Sequence, residues 1–476
     1  MSLKISLDLD VKKWFNKFTN IASKINIGHL LLISLVLHMF VISIPPDGKI
    51  FDEVHYCNAA IETLNLKAAN AEHMPLAKIV IAISIGIFGD YWFAWRIPIV
   101  TMCIVSLYVF YLIAKRFMTN KYALIATAFL SFDVMYFVHG SIFILDMPAI
   151  LFGLLGMEMY FAKKYKWSAA AFGISFLMKE LGLFFLFTII IYHVWTHLHI
   201  RDMFKKKQEK VPYKTSLMEG TVVARSDKSK LKLNLKTFAV FSLILVLVGG
   251  GGLWIYDVVY KPSTGTTVWQ QVNNTVVVNE TGAPVTTITT INNVTSSTLI
   301  TNPIEHIRFA LTYFSGLVPA IETPDKELRQ PWTWILPIGD IFNSPVYFGI
   351  VATVGDVSKK LVTWTSQISP MIEYMLVPLF IFSVIMLIRK KDVTKQGILS
   401  IAWILSAYMP WLILGLFIQR MTFNYYFIYT IPSLALGIPY MWSTIKSERI
   451  RDVCLILHLI LTIVFFFMFF PVAIFR

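Results

Sequence analysis

Several ionisable residues of this chain stand where the surrounding sequence offers them little water. Asp52 and Glu53 sit side by side just beyond the first apolar run, and Asp146 falls inside another, directly after Leu145. Lys179 and Glu180 interrupt a third run, and Arg420 opens a fourth, followed closely by Tyr425 and Tyr426. His73, Lys78 and Arg96 belong to the same stretch as Asp52. Ionisable groups at membrane depth are costly and read by default as functional. Their types suggest a division of labour, since carboxylates can deprotonate a hydroxyl and orient a polyol. Cations at the same level can neutralise a phosphate leaving group. The plainer alternatives are structural: Asp52 as the N-cap of a helix over 54–69, and Lys179 and Glu180 as a private ion pair between helices.

The elements that must position these residues follow from composition. The 476 residues are 56% hydrophobic and only 15% charged, with a mean hydropathy of +0.65. Soluble domains carry about 25% charged residues, so this chain needs lipid as solvent. Its net charge of +14 does not point to nucleic acid, because the basic residues lie between apolar runs and not on a soluble face with stacking aromatics. Cys57, Cys103 and Cys454 show neither CxxC spacing nor a companion histidine cluster, which argues against a zinc site or disulfide framework. The first apolar run follows a basic segment and has no small-residue cleavage site, so it reads as an uncleaved span.

Runs of the required length predict an all-α polytopic membrane protein with about eleven transmembrane helices, at 28–45, 95–114, 121–139, 144–162, 166–179, 181–198, 237–256, 374–389, 397–418, 421–442 and 453–472. The further apolar stretch 74–89 is placed along the outer interface, because counting it as a span puts Lys115, Arg116 and the lysines at 163–166 on the wrong side. The loop 199–236 holds 11 basic residues against 4 acidic ones and is cytoplasmic by the same rule. Residues 1–27 are then a cytoplasmic N-terminus, and 28–256 form an N-terminal membrane module with a large external loop over 46–94. Residues 257–373 are a second external connection, and 374–476 supply the last spans and an external C-terminus. The chain is expected in the cell membrane with its polar constellation on the extracytoplasmic face.

The second connection is rich in Thr, Asn and Val and carries three N-x-S/T sequons, at Asn273, Asn279 and Asn293, which makes glycosylation there an expectation. Alternating β-branched and polar residues over 262–300 suggest a small hairpin or mobile loop, and 303–317 reads as an amphipathic interfacial helix. Trp332 and Trp334 suit the headgroup zone.

Short stretches around the charged residues resemble the protein O-mannosyltransferase family of the glycosyltransferase C superfamily. Phe51-Asp52-Glu53 resembles its Asp-Glu motif, and His73-Met74-Pro75-Leu76-Ala77-Lys78 its His-Pro-Pro-Leu-Gly-Lys, followed by Phe88-Gly89-Asp90 and Trp95-Arg96-Ile97-Pro98. Leu145-Asp146-Met147-Pro148, Met178-Lys179-Glu180-Leu181-Gly182-Leu183-Phe184, Pro331-Trp332-Thr333-Trp334 and Arg420-Met421-Thr422-Phe423-Asn424-Tyr425-Tyr426 resemble later elements in the same order. The resemblance implies a GT-C fold and inverting transfer of a sugar, mannose above all, from a dolichyl- or polyprenyl-phosphate donor to Ser/Thr hydroxyls of a protein. By resemblance Asp52 is the base and Glu53 helps hold the acceptor or sugar. Arg420 and Lys179 then face the donor phosphate and Asp146 orders the site, with His73, Lys78, Arg96, Glu180, Tyr425 and Tyr426 completing the binding surface. Met74 replaces a Pro, and Tyr426 stands where the family often has His. The external loop is too short for the β-trefoil module of eukaryotic members, which suggests a prokaryotic or archaeal type.

A related enzyme moving another sugar, such as aminoarabinose, onto a lipid or glycan acceptor is the nearest alternative. The oligosaccharyltransferase catalytic subunit fits less well, because the chain shows neither a Trp-Trp-Asp-type motif nor a large soluble C-terminal domain. A transporter predicts midplane charges and inverted repeats, neither of which the sequence shows. P-loop, GxGxxG and HExxH motifs are lacking, which leaves nucleotide hydrolysis, dinucleotide redox and zincin chemistry without support. No cofactor is called for beyond the lipid-phosphate sugar as substrate. Two or three carboxylates could hold a divalent ion, but no ligand spacing demands one. The expected partners are that donor, a protein or lipid acceptor, membrane lipids and, among the assemblies the resemblance allows, a dimer; nucleic acid is not among them.

Overall fold

A computed structural model describes residues 25–44, 48–197, 235–264, 277–278, 284–285, 298–316, 330–335, 353–354, 361–364, 366, 368–388, 395–418, 420, 422–470 and 472–475. The basic loop expected to be cytoplasmic, the three sequons and most of the N-terminal segment lie outside these residues.

Each of the eleven expected apolar runs is occupied by helix. Among the described residues, five helical stretches are long and apolar enough on their own to cross a bilayer: Trp92–Lys115, Lys236–Tyr260, Pro370–Ile388, Lys395–Ile418 and Glu448–Met468. Others are shorter or broken by polar residues. The run predicted over 121–139 is split into Asn120–Ser131 and Val134–His139, because Asp133 caps the second piece by accepting a hydrogen bond from the Tyr136 amide. The chain is a multi-pass membrane protein, and its outward apolar side chains agree. Phe40 is 67% exposed and Val246 65%, on helices that must meet lipid.

The helix Leu76–Phe88 has 13 residues, roughly 20 Å of rise, short of the roughly 30 Å hydrocarbon core. That length suits the interfacial placement expected of it. It packs on the neighbouring helix Glu53–Leu64 and on Trp92–Lys115. The core of the molecule lies between Trp92–Lys115, Asp146–Phe161, Tyr165–Met178 and Leu235–Tyr260, and between Leu183–His197 and Lys395–Ala407. Close approach of backbones matters where the chain turns at Lys179. A Cβ on Gly182 would run into the hydroxyl and carbonyl of Ser175, so only glycine lets this turn tuck against the preceding helix.

Strand is confined to short pieces. Val277–Val278 pairs antiparallel with Pro284–Val285, the hairpin that the alternating residues suggested. Thr353–Val354, Leu361–Trp364 and Val472–Phe475 form a three-stranded antiparallel sheet. The end of the chain is thus stitched to the second long connection and lies at its level. Trp334 departs from its expected place among headgroups. It is 1% exposed and packs against Tyr408, Trp411 and Phe427, because its wide ring fills the gap between the connection and the membrane helices.

Candidate active site

The first long loop, the start of Leu183–His197, the helix Pro303–Ser315 and the segment 410–426 enclose a cavity of about 630 Å³. It is lined by Asp52, His55, Tyr56, Asn70, Glu72 and His73 from the first loop and by Lys179, Glu180, Arg420, Tyr425 and Tyr426 from later segments. Phe184, Leu311, Phe314, Trp411 and Leu414 add apolar lining. Segments separated by more than 350 residues therefore meet in one cavity.

Asp52 takes the N-cap position of Glu53–Leu64, yet its carboxylate makes no capping hydrogen bond. It faces the cavity instead, where Tyr56 OH donates to its Oδ2 at 3.4 Å and stands equally 3.4 Å from His73 Nε2. Phe51, the residue before it, has φ +50. A bulky side chain in the left-handed region costs on the order of 1–3 kcal/mol and persists where the surroundings over-determine it; here the ring packs edge-on against Tyr425 at 5.6 Å. Burial pushes the Asp52 carboxyl above its ordinary value, opposed by the positive fields of His55, His73 and Lys179 and reinforced by Asp146.

Glu53, by contrast, does not line the cavity. Its Oε2 accepts from Arg96 Nη2 at 2.7 Å and from the Ile50 amide at 2.8 Å, and its Oε1 from Arg96 Nε and the Phe143 amide, both at 2.9 Å. Arg96 also donates to the carbonyls of Ile42 and Gly48, each at 2.8 Å, and both side chains are fully buried. The placement of Glu53 and Arg96 at a substrate surface, expected from the sequence, gives way to a closed clamp that ties the first helix to the first loop. Helical geometry explains this, because consecutive residues point about 100° apart. Lys78 also lies behind the wall. It is 2% exposed and donates to the carbonyls of Asn70 and His73. Asp146 does not line the cavity; it accepts from Lys179 Nζ at 2.7 Å, with His139 Nδ1 3.6 Å away.

Arg420 is held by cation–π contacts with Phe314, Trp411 and Tyr426 at 5.7, 5.4 and 5.9 Å, and its Nε donates to the Phe314 carbonyl at 2.7 Å. Among the described residues no carboxylate lies within ion-pair distance of it. Glu180 stands 3.7 Å from His73 Nδ1. Among the described residues no group of three or more His, Cys, Asp or Glu could hold a metal.

Sequence reasoning missed His55, Tyr56, Asn70, Glu72, Phe314 and Trp411. His55 and Tyr56 were within reach, being three and four residues after Asp52 and so on its helix face. Glu72 had no signal beyond its charge.

Residues 72–218 match the family model described as dolichyl-phosphate-mannose-protein mannosyltransferase. That match takes in His73, Lys78, Arg96, Asp146, Lys179 and Glu180 and leaves out Asp52 and Arg420. No curated protein matches the chain. Among solved structures, the protein O-mannosyltransferase Pmt1-Pmt2 complex of S. cerevisiae bound to the sugar donor is similar with a TM-score of 0.65 at 12% identity, over 94% of this chain and 89% of that one. ArnT from Cupriavidus metallidurans bound to undecaprenyl phosphate gives 0.46 at 12% identity, over 94% of this chain and 62% of that one. The chain is therefore protein O-mannosyltransferase-like: in fold along nearly its whole length, and by family match over 72–218.

Proposed function

We propose that this chain transfers a sugar, mannose in the first instance, from a dolichyl- or polyprenyl-phosphate donor to Ser/Thr hydroxyls of proteins on the extracytoplasmic face, with inversion. The single observation that supports this most is that one cavity gathers a carboxylate without a capping role, Asp52, and two cations, Lys179 and Arg420. Asp52 accepts the acceptor hydroxyl proton as that oxygen attacks the anomeric carbon. The bond from that carbon to the phosphate oxygen breaks, and the leaving phosphate carries its charge against Arg420 and Lys179. The apolar flank of Leu311, Phe314 and Leu414 suits the first isoprene units of the donor.

The family match over 72–218 supports mannose and a protein acceptor. A second reading, an aminoarabinose-type donor with a lipid acceptor, is favoured by the acidic share of the lining, Asp52, Glu72 and Glu180, which could accommodate a cationic sugar. The test is transfer by the purified full chain from labelled dolichyl-phosphate-mannose or an aminoarabinosyl lipid to a Ser/Thr peptide or a lipid A acceptor. Mannosylated peptide supports the first reading. Label on lipid A alone replaces it with the second, and no transfer to either acceptor removes both.

A further inference from the structure

Glu72 is 5% exposed and lines the same cavity as Asp52. Its Oε1 accepts from Asn70 Nδ2 at 2.8 Å. Its Oε2 is buried without a hydrogen-bond partner, and a buried carboxylate oxygen left unmatched is expensive. The backbone that carries it is held from three directions. Lys78 takes the carbonyls of Asn70 and His73, the latter at 2.9 Å. His306 Nε2 donates to the Ala71 carbonyl at 2.8 Å, while its Nδ1 pairs with Asp257 at 2.6 Å. Asn70 itself is locked in the left-handed region at φ +55. So much anchoring of so short a loop, around one unmatched oxygen, is the pattern of a preorganised ligand contact.

We infer that Glu72 is a sugar-binding residue, its Oε2 accepting hydrogen bonds from ring hydroxyls of the transferred sugar. The inference rests on the proposed glycosyl transfer and adds which group reads the sugar. A phosphate is not its ligand, because a carboxylate repels one. A neutral sugar joined to the donor phosphate carries several hydroxyl donors that a carboxylate can accept from. Tyr313 and Phe314, beside it in the lining, offer rings against which the apolar face of a pyranose can lie.

The test uses the full chain in nanodiscs and compares affinity for dolichyl-phosphate-mannose with that for sugar-free dolichyl phosphate. Wild type binds the sugar-bearing lipid about tenfold or more tightly, the factor one hydrogen bond to a charged group supplies. Glu72→Gln, which keeps an oxygen for Asn70, erases most of that gap and leaves the sugar-free affinity unchanged; Glu72→Asp restores part of it. A Glu72→Gln variant that keeps the full gap overturns the inference and leaves the function standing. So does one that loses both lipids in parallel, which marks a structural role, or one that changes only the KM of the acceptor peptide. A wild-type protein that binds neither lipid removes the proposed function and the inference together.

Discussion

Asp52 and Glu53 are neighbours in sequence and opposites in circumstance. Glu53 is sealed with Arg96 and has every lone pair engaged by backbone amides or guanidinium. Asp52 has one long contact, from Tyr56, and an open face on the cavity. The same contrast separates their cations, since Arg96 spends its donors on a carboxylate and two carbonyls. Arg420 is boxed by rings and, among the described residues, has no carboxylate within ion-pair distance. A charge with its partners filled holds the fold, and a charge held in place but not neutralised is available to a ligand.

The strongest way to break this comparison is Asp52→Asn. We expect it to lower transfer by about 10²–10⁴-fold, the range of a lost general base, with thermal stability unchanged. An active variant takes Asp52 out of the chemistry. Glu53→Gln or Arg96→Ala should do the reverse, costing about 3–5 kcal/mol of stability by stranding a buried charge. This is measured as a lowered unfolding temperature and poor recovery from detergent; a stable but inactive Glu53→Gln protein would return Glu53 to the site. Arg420→Ala should raise the apparent donor KM by about tenfold or more with a smaller fall in kcat, and an unchanged KM makes Arg420 a wall residue. The smallest effect is in pH dependence. A base works only when ionised, and burial raises the Asp52 carboxyl above its ordinary value, so transfer should fall on acidification through a point above the ordinary carboxylate range of about 3.9. A limb at or below that range would separate activity from this group.

Much of the fold was legible because lipid imposes a simple rule: apolar runs of sufficient length become helix, and the structure places helix in all eleven. Part of the site was legible too, since Asp52, His73, Lys179, Glu180, Arg420, Tyr425 and Tyr426, singled out as ionisable or polar groups near apolar runs, line one cavity. What the sequence could not resolve is direction around a helix and reach across space. Nothing local says that Arg96 closes on a carboxylate 43 residues earlier, or that Trp334 turns inward to Tyr408 and Phe427. Lys78 looked like a ligand contact and proved to be a brace for carbonyls, a use that depends on a loop conformation no spacing encodes. The second long connection was the least readable, because its strand Leu361–Trp364 takes one of its partners from Val472–Phe475, more than a hundred residues away.

That last pairing has a consequence for the order of assembly. Trp364 sits beside Val472 in the small sheet, and its indole N–H donates to the carbonyl of Ile44 at the end of the first helix. Elements at the two extremes of the polypeptide thus share one tryptophan. During synthesis the first helix enters the bilayer long before residue 472 leaves the ribosome, so the clasp can close only after all the intervening helices have been threaded. Closure of this small sheet is therefore a post-insertional event, timed by the arrival of the strand Val472–Phe475.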